Sequence, residues 1–310
     1  MSTKLHSKPR SFNVNRARTQ HREALLMKAQ STTQIGVCSW SLQAGGPKDL
    51  AEKVSALGLN RVQLGLTPHR EDPGAWEGAL EIMTAAGIEI VSGMFSTIGE
   101  DYTTPDTIRR TGGVVPDEHW EENWALAKAA AATAKSMGLK LVSTHAGFLP
   151  HQPADPSFDK LARRVADLAA LFAQNGAALL LETGQESAET LLLFLDEMRN
   201  RGARNIGVNF DPANMILYDM GDPIQALRLL APHVMQVHVK DARRTAVKGQ
   251  WGDEVVVGTG EVDWREFVQI LAAADFQGSF IFEREAGANR LDDIAQGITA
   301  LRGVMEKAPA

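Results

Sequence analysis

The feature that most constrains this chain is a rhythm. From Ile35 onward, short apolar runs alternate with longer amphipathic ones. Eight runs carry the strand pattern: "IGVCSW" (35–40), "RVQLG" (61–65), "EIVSGMF" (89–95), "KLVSTHAG" (140–147), "ALLLET" (178–183), "IGVNFD" (206–211), "VMQVHVKD" (234–241) and "SFIFERE" (279–285). They are rich in Val, Ile, Leu and Phe, as strands covered on both faces must be. Between them lie segments such as "EENWALAKAAAATAKSMG" and "SFDKLARRVADLAALFAQNG", with Ala and Leu at helical spacing and a Gly where each helix would stop. Asp222 before Pro223 reads as a helix N-cap, and Asp263 with Glu266 has the spacing of a capping box.

Eight strand-then-helix units in about 270 residues predict an α/β fold of the (β/α)8 kind, a single TIM-barrel domain over residues 34–310. A doubly wound open sheet is the competing fold, but no G-x-G-x-x-G follows the first strand. The chain of 310 residues is 44% hydrophobic, enough for a large core. Its net charge of -6 argues against a nucleic-acid partner. The single cysteine, Cys38, excludes an internal disulfide and fits a reducing, cytoplasmic setting. No apolar run is long enough to cross a bilayer, so no membrane partner is expected. Residues 1–33 are basic and polar, without the apolar centre of a secretory signal; they read as a loose arm ending in a short helix near Arg22–Gln30.

The strand ends carry the chemistry. In such a barrel the C-terminal ends of the strands converge on one face, where active sites lie. There Glu182 ends the fifth run, Asp211 the sixth, His238 lies near the end of the seventh, and Glu283 ends the eighth. Three acids brought together would repel one another and hold their protons. A divalent cation removes that penalty, and two Glu, an Asp and a His suit Mn²⁺ foremost, with Mg²⁺, Co²⁺ or Zn²⁺ as alternatives. Singly, each residue is as well explained as a cap, an ion-pair partner or a core histidine; four on successive strands are not.

The motifs "LLLETG", "VNFDPAN", "VHVKD", "GTGEVDW" and "IFERE" resemble the sugar phosphate isomerase/epimerase family, the xylose isomerase-like TIM barrels, from Ile35 to about Val304. The resemblance implies one divalent metal on Glu182, Asp211, His238 and Glu283, with Glu182 and Glu283 doubling as the catalytic acid/base pair. It also implies Arg244 as a contact to substrate oxygen, with Arg243 as its rival. Where epimerases and endonuclease IV carry a histidine three residues after the strand-six aspartate, this chain has Asn214. A second D-x-H pair after strand seven is also missing, which argues against a three-metal nuclease.

The expected reaction is proton transfer next to a carbonyl in a keto-sugar or sugar derivative. A cation chelated by the carbonyl and its neighbouring hydroxyl would stabilise the enediolate. Reprotonation gives isomerisation or epimerisation, whereas loss of a β-hydroxyl gives a dehydratase or lyase. A non-catalytic sugar-binding barrel is the alternative from another class. Further substrate-binding candidates are His145, Gln185, Asn214 and Lys240. Each has a bland counterpart: core packing for His145, a helix cap for Gln185, an ion pair with Asp241 or another acid for Lys240. Trp40, His69 and Trp251 fall on loops and could wall a sugar ring or meet a second subunit, leaving a homo-oligomer open. In "VGTGEVDW", Gly258 and Gly260 read as turn residues rather than a phosphate cradle, with Asp263 and Trp264 starting and anchoring a helix.

Overall fold

The computed structural model describes residues 34–307; the basic arm at 1–33, with its expected helix near Arg22–Gln30, lies outside the described residues. Ten strands run in chain order: β1 (Ile35–Cys38), β2 (Arg61–Gly65), β3 (Glu89–Met94), β4 (Leu141–Thr144), β5 (Ala178–Glu182), β6 (Ile206–Phe210), β7 (Val234–Val239), β8 (Asp241–Arg243), β9 (Asp253–Val255) and β10 (Ser279–Phe282). Eight of them, β1 to β7 and β10, form a closed parallel barrel in which β1 pairs with β10. Helices surround it, and the chain is a (β/α)8 TIM barrel.

Helix starts follow the local sequence. Asp155, Ser187, Asp211 and Asp222 each accept a hydrogen bond from a first-turn backbone N–H, satisfying donors that the helix leaves orphaned. At Asp263 only half of the expected box forms: Asp263 accepts from Glu266 N at 3.0 Å, while the Glu266 carboxylate turns to Arg228.

Strand alternation sorts the core into two regions. Leu179, Leu181, Val208, Phe210, Val237, Val239, Phe280 and Phe282 belong to the apolar cluster between barrel and helices. Their neighbours point the other way, into the barrel, and many are polar: Gln63, Ser92, Ser143, Asn209 and Gln236 are all 0% exposed. These satisfy one another. Gln63 Nε2 donates to Ser143 Oγ at 2.8 Å, Ser92 Oγ to Gln236 Oε1 at 2.5 Å, and Gln236 Nε2 to Asn209 Oδ1 at 3.2 Å. Buried polar groups persist only when so paired. The strands are therefore not apolar on both faces, as their composition suggests; the inner face is a hydrogen-bonded floor.

The connection after β7 departs from a plain loop. Strands β8 and β9 form an antiparallel hairpin, with Asp241 opposite Val255 and Arg243 opposite Asp253. Asp241 then anchors the "VGTGEVDW" loop: its carboxylate accepts from Gly258 N (2.9 Å), Gly260 N (3.2 Å), Val262 N (3.2 Å) and Trp264 Nε1 (3.1 Å). A Cβ at Gly260 would fall 2.1 Å from Asp241 Oδ1, so only glycine fits. The N–H groups that could have cradled a phosphate are filled by the chain's own carboxylate.

Candidate metal centre and cavity

Glu182 is the last residue of β5, Asp211 follows β6, His238 is the penultimate residue of β7, and Glu283 follows β10. One ligand atom from each lies within 4.8 Å of all the others, and all four residues are buried. His238 Nδ1 stands 3.4 Å from Glu182 Oε1, 3.4 Å from Glu283 Oε2 and 3.7 Å from Asp211 Oδ2. Asp211 splits its duties: Oδ1 caps the helix Pro212–Leu217 by accepting from Asn214 N, while Oδ2 is buried without a partner. His238 Nδ1 is likewise unpartnered. Two orphaned buried atoms flanked by two carboxylates fit a cation, since a divalent ion with bonds of about 2.1 Å holds adjacent ligand atoms ~3 Å apart.

The floor beneath orients the imidazole. His238 Nε2 lies 2.6 Å from Gln63 Oε1, so an N–H there points down and leaves Nδ1 facing the carboxylates. Asn209 Nδ2 donates to Glu182 Oε2 at 3.0 Å, and Cys38 Sγ sits 3.7 Å from His238 Nε2. Burial pushes the Cys38 thiol well up.

The electrostatics are those of buried, crowded charges. Burial, helped by Glu283 and Glu182, pushes Asp211 up to about 6 against the pull of His238 and Lys240. Burial opposes ionisation of Glu182 too, but His238 and His145 hold it below its ordinary value. At Glu283 burial is outweighed by Lys240 and His238, which hold it well below the carboxylate range. Burial disfavours the charged imidazole of His238, yet Glu182 and Glu283 raise its pKa well above the ordinary one. Lys240, 3% exposed, is raised well above its usual range despite burial by Glu283 and Glu285, whose carboxylates it meets at 2.9 and 2.7 Å.

A cavity of about 630 Å³ opens over this centre. His145, Asn214, Lys240 and Glu283 line its floor, with Trp40 beside them. His145 Nε2 is 3.4 Å from Glu182 Oε1 and its Nδ1 has no partner. Asn214 Nδ2 donates to Glu182 Oε1 at 3.1 Å. Trp40 Nε1 donates to Glu283 Oε1 at 2.8 Å, and its ring meets His238 edge-on at 6.1 Å. Lys240 pairs with Glu283 and Glu285, whereas Asp241 is taken by the loop.

Two expected substrate contacts lie elsewhere. Arg244 is exposed and outside the cavity lining, its guanidinium on Asp219 and on Gly221 O. Its rival Arg243 donates to Thr259 O. Gln185 is 2% exposed and outside the cavity lining, its Nε2 buried without a partner, and it does not cap the next helix, since Ser187 does. Trp251 lines the cavity; the His69 side chain lies outside what is described. The floor residues Gln63, Asn209 and Gln236 were missed, although each stands as a lone polar residue inside an apolar run.

The model of the xylose isomerase-like TIM barrel family matches residues 51–304, and the chain belongs to that family. A xylose isomerase domain protein from Planctomyces limnophilus is 34% identical, with 83% of this chain and 91% of that chain covered and a TM-score of 0.76. Inosose dehydratase of Clostridium tetani is 30% identical over 112 residues, spanning 30% of this chain and only 38% of that protein. L-ribulose 3-epimerase shares the barrel at 16% identity, covering 88% of this chain and 94% of that chain with a TM-score of 0.68, a likeness that speaks for the fold. Among the described residues no helix is long and apolar enough to cross a membrane.

Proposed function

We propose that this protein is a divalent-cation-dependent isomerase or epimerase acting on a keto-sugar or sugar derivative by proton transfer next to a carbonyl. The observation that carries the reading is the convergence of buried Glu182 and Glu283 on two orphaned atoms, His238 Nδ1 and Asp211 Oδ2. These four residues would hold the cation, Mn²⁺ by preference, which when bound polarises a substrate carbonyl and acidifies the neighbouring C–H. Glu182 and Glu283 serve as the proton carriers. One removes the proton from carbon; the other returns it from the opposite face for epimerisation, or the proton goes to the adjacent carbon for isomerisation. His145, whose Nδ1 has no partner, and Asn214 both line the cavity and would hydrogen-bond substrate oxygens.

A second reading, elimination of a β-hydroxyl, is supported by Lys240, a buried ammonium 2.9 Å from Glu283 that could protonate the departing oxygen. The partial likeness to inosose dehydratase favours the same alternative. Incubating Mn²⁺-loaded protein with keto-sugars in deuterated water separates the two. Isotope at carbon without loss of water supports isomerase or epimerase chemistry, and a dehydrated product supports elimination. Glu182→Gln and Glu283→Gln should each slow the reaction on the order of 10²–10⁴-fold. Sugar binding with no exchange and no product from the parent protein would contradict both.

A further inference from the structure

The cavity is larger than one sugar ring requires. A hexose has twelve heavy atoms and fills on the order of 200 Å³ at interior packing density, whereas the cavity measures about 630 Å³. Pockets of that size hold ligands of two or more rings. The cavity has aromatic walls: Tyr102 and Trp251, with an edge of the largely buried Trp76, line it from the segments after β2 and β3 and from the β8–β9 hairpin. Trp251 is held in place, its Nε1 donating to Tyr102 O at 3.0 Å and its ring meeting Tyr218 edge-on at 4.8 Å. Flat aromatic faces with polar edges suit the C–H faces of a pyranose.

The charges of the lining disfavour an anion. Glu100, Glu254 and Glu285 all face the cavity, and among the described residues that line it Lys240 is the sole Lys or Arg. Lys240 is already engaged by Glu283 and Glu285. Arg284, behind Glu254, is engaged by Glu254 at 2.8 Å and Asp293 at 3.0 Å. A phosphate needs unspent Arg or Lys donors, and here it would meet carboxylates instead.

We propose that the cavity takes a keto-sugar bearing a second, uncharged ring, seated against Trp76, Tyr102 and Trp251, and disfavours phosphorylated sugars. This rests on the keto-sugar reading above.

The test uses three probes that share one ketose: fructose, fructose 6-phosphate, and isomaltulose, which carries a glucosyl group on the same oxygen that the phosphate occupies. Calorimetric titration of the Mn²⁺-loaded full chain should rank isomaltulose about tenfold tighter than fructose, with fructose 6-phosphate weakest. Trp251→Ala should narrow the ratio of isomaltulose to fructose affinity, and Tyr102→Ala should do the same if the first variant folds poorly. Fructose 6-phosphate binding as tightly as isomaltulose, no gain from the second ring, or no binding of any probe would overturn the proposal. Proton exchange in deuterated water is read separately. Preference for isomaltulose without exchange would keep this occupant and reject the chemistry; exchange with a preference for the phosphate would do the reverse.

Discussion

Glu182 and Glu283 approach the same imidazole nitrogen at the same 3.4 Å, yet their surroundings differ in kind. Glu182 is held by side-chain amides, Asn209 at 3.0 Å and Asn214 at 3.1 Å, with His145 at 3.4 Å. Glu283 is held by an indole, Trp40 at 2.8 Å, and by the ammonium of Lys240 at 2.9 Å. A carboxylate steadied by neutral donors changes protonation state more readily than one locked in a buried ion pair. The contrast gives two superficially equivalent acids different proton affinities, the difference that the proposed opposing roles in one transfer call for.

The largest effect should come from removing the cation that sets Glu283 apart. Lys240→Met leaves Glu283 beside Glu182 and Asp211 with His238 as its remaining counter-charge, and should lower the stability of the metal-free protein at pH 7 by up to about 3–5 kcal/mol in urea unfolding. The pH dependence has a definite sign. Glu283 is depressed, so its contribution is present above its ordinary value of 4.5 and lost as pH falls through its folded pKa. Lys240 is raised, so its share is present below its ordinary 10.5 and lost as pH rises through its folded pKa. The gap between parent and variant should therefore be widest between those limits; equal stability there would dissolve the comparison.

A smaller effect should follow from Trp40→Phe, which keeps an aromatic ring beside His238 and removes one hydrogen bond to a charged acceptor, a loss of about 1.5–3 kcal/mol. On the Glu182 side, His145→Phe removes only a contact at 3.4 Å and should change stability by less than about 1 kcal/mol. The reverse order in unfolding experiments would show that the two walls had been assigned the wrong weights.

The barrel was legible because strand and helix periods differ and eight units of one kind admit few closures. The four candidate ligands were legible because each interrupts or ends a run too apolar for the surface. The floor was not: Gln63, Asn209 and Gln236 look like minor blemishes until alternation and closure turn them inward together. Nor was Trp40 against Glu283, a contact across 243 residues of chain that only ring closure between β1 and β10 creates. The placement of Arg244 was not legible either, because spacing after His238 cannot reveal that β8 and β9 fold into a hairpin and that its guanidinium meets Asp219.

The central claim is that Glu182, Asp211, His238 and Glu283 form one cation site, and elemental analysis after Mn²⁺ loading and desalting tests it most directly. The account predicts about one ion per chain in the parent protein and none in Asp211→Ala. Asp211 and His238 must each lose a proton to bind, and both pKa values are raised in the metal-free site. Affinity should therefore fall as pH drops, about tenfold per pH unit while His238 alone is protonated and more steeply below about 6, where Asp211 joins it. No metal in the parent protein, or equal metal in the variant, would contradict the account.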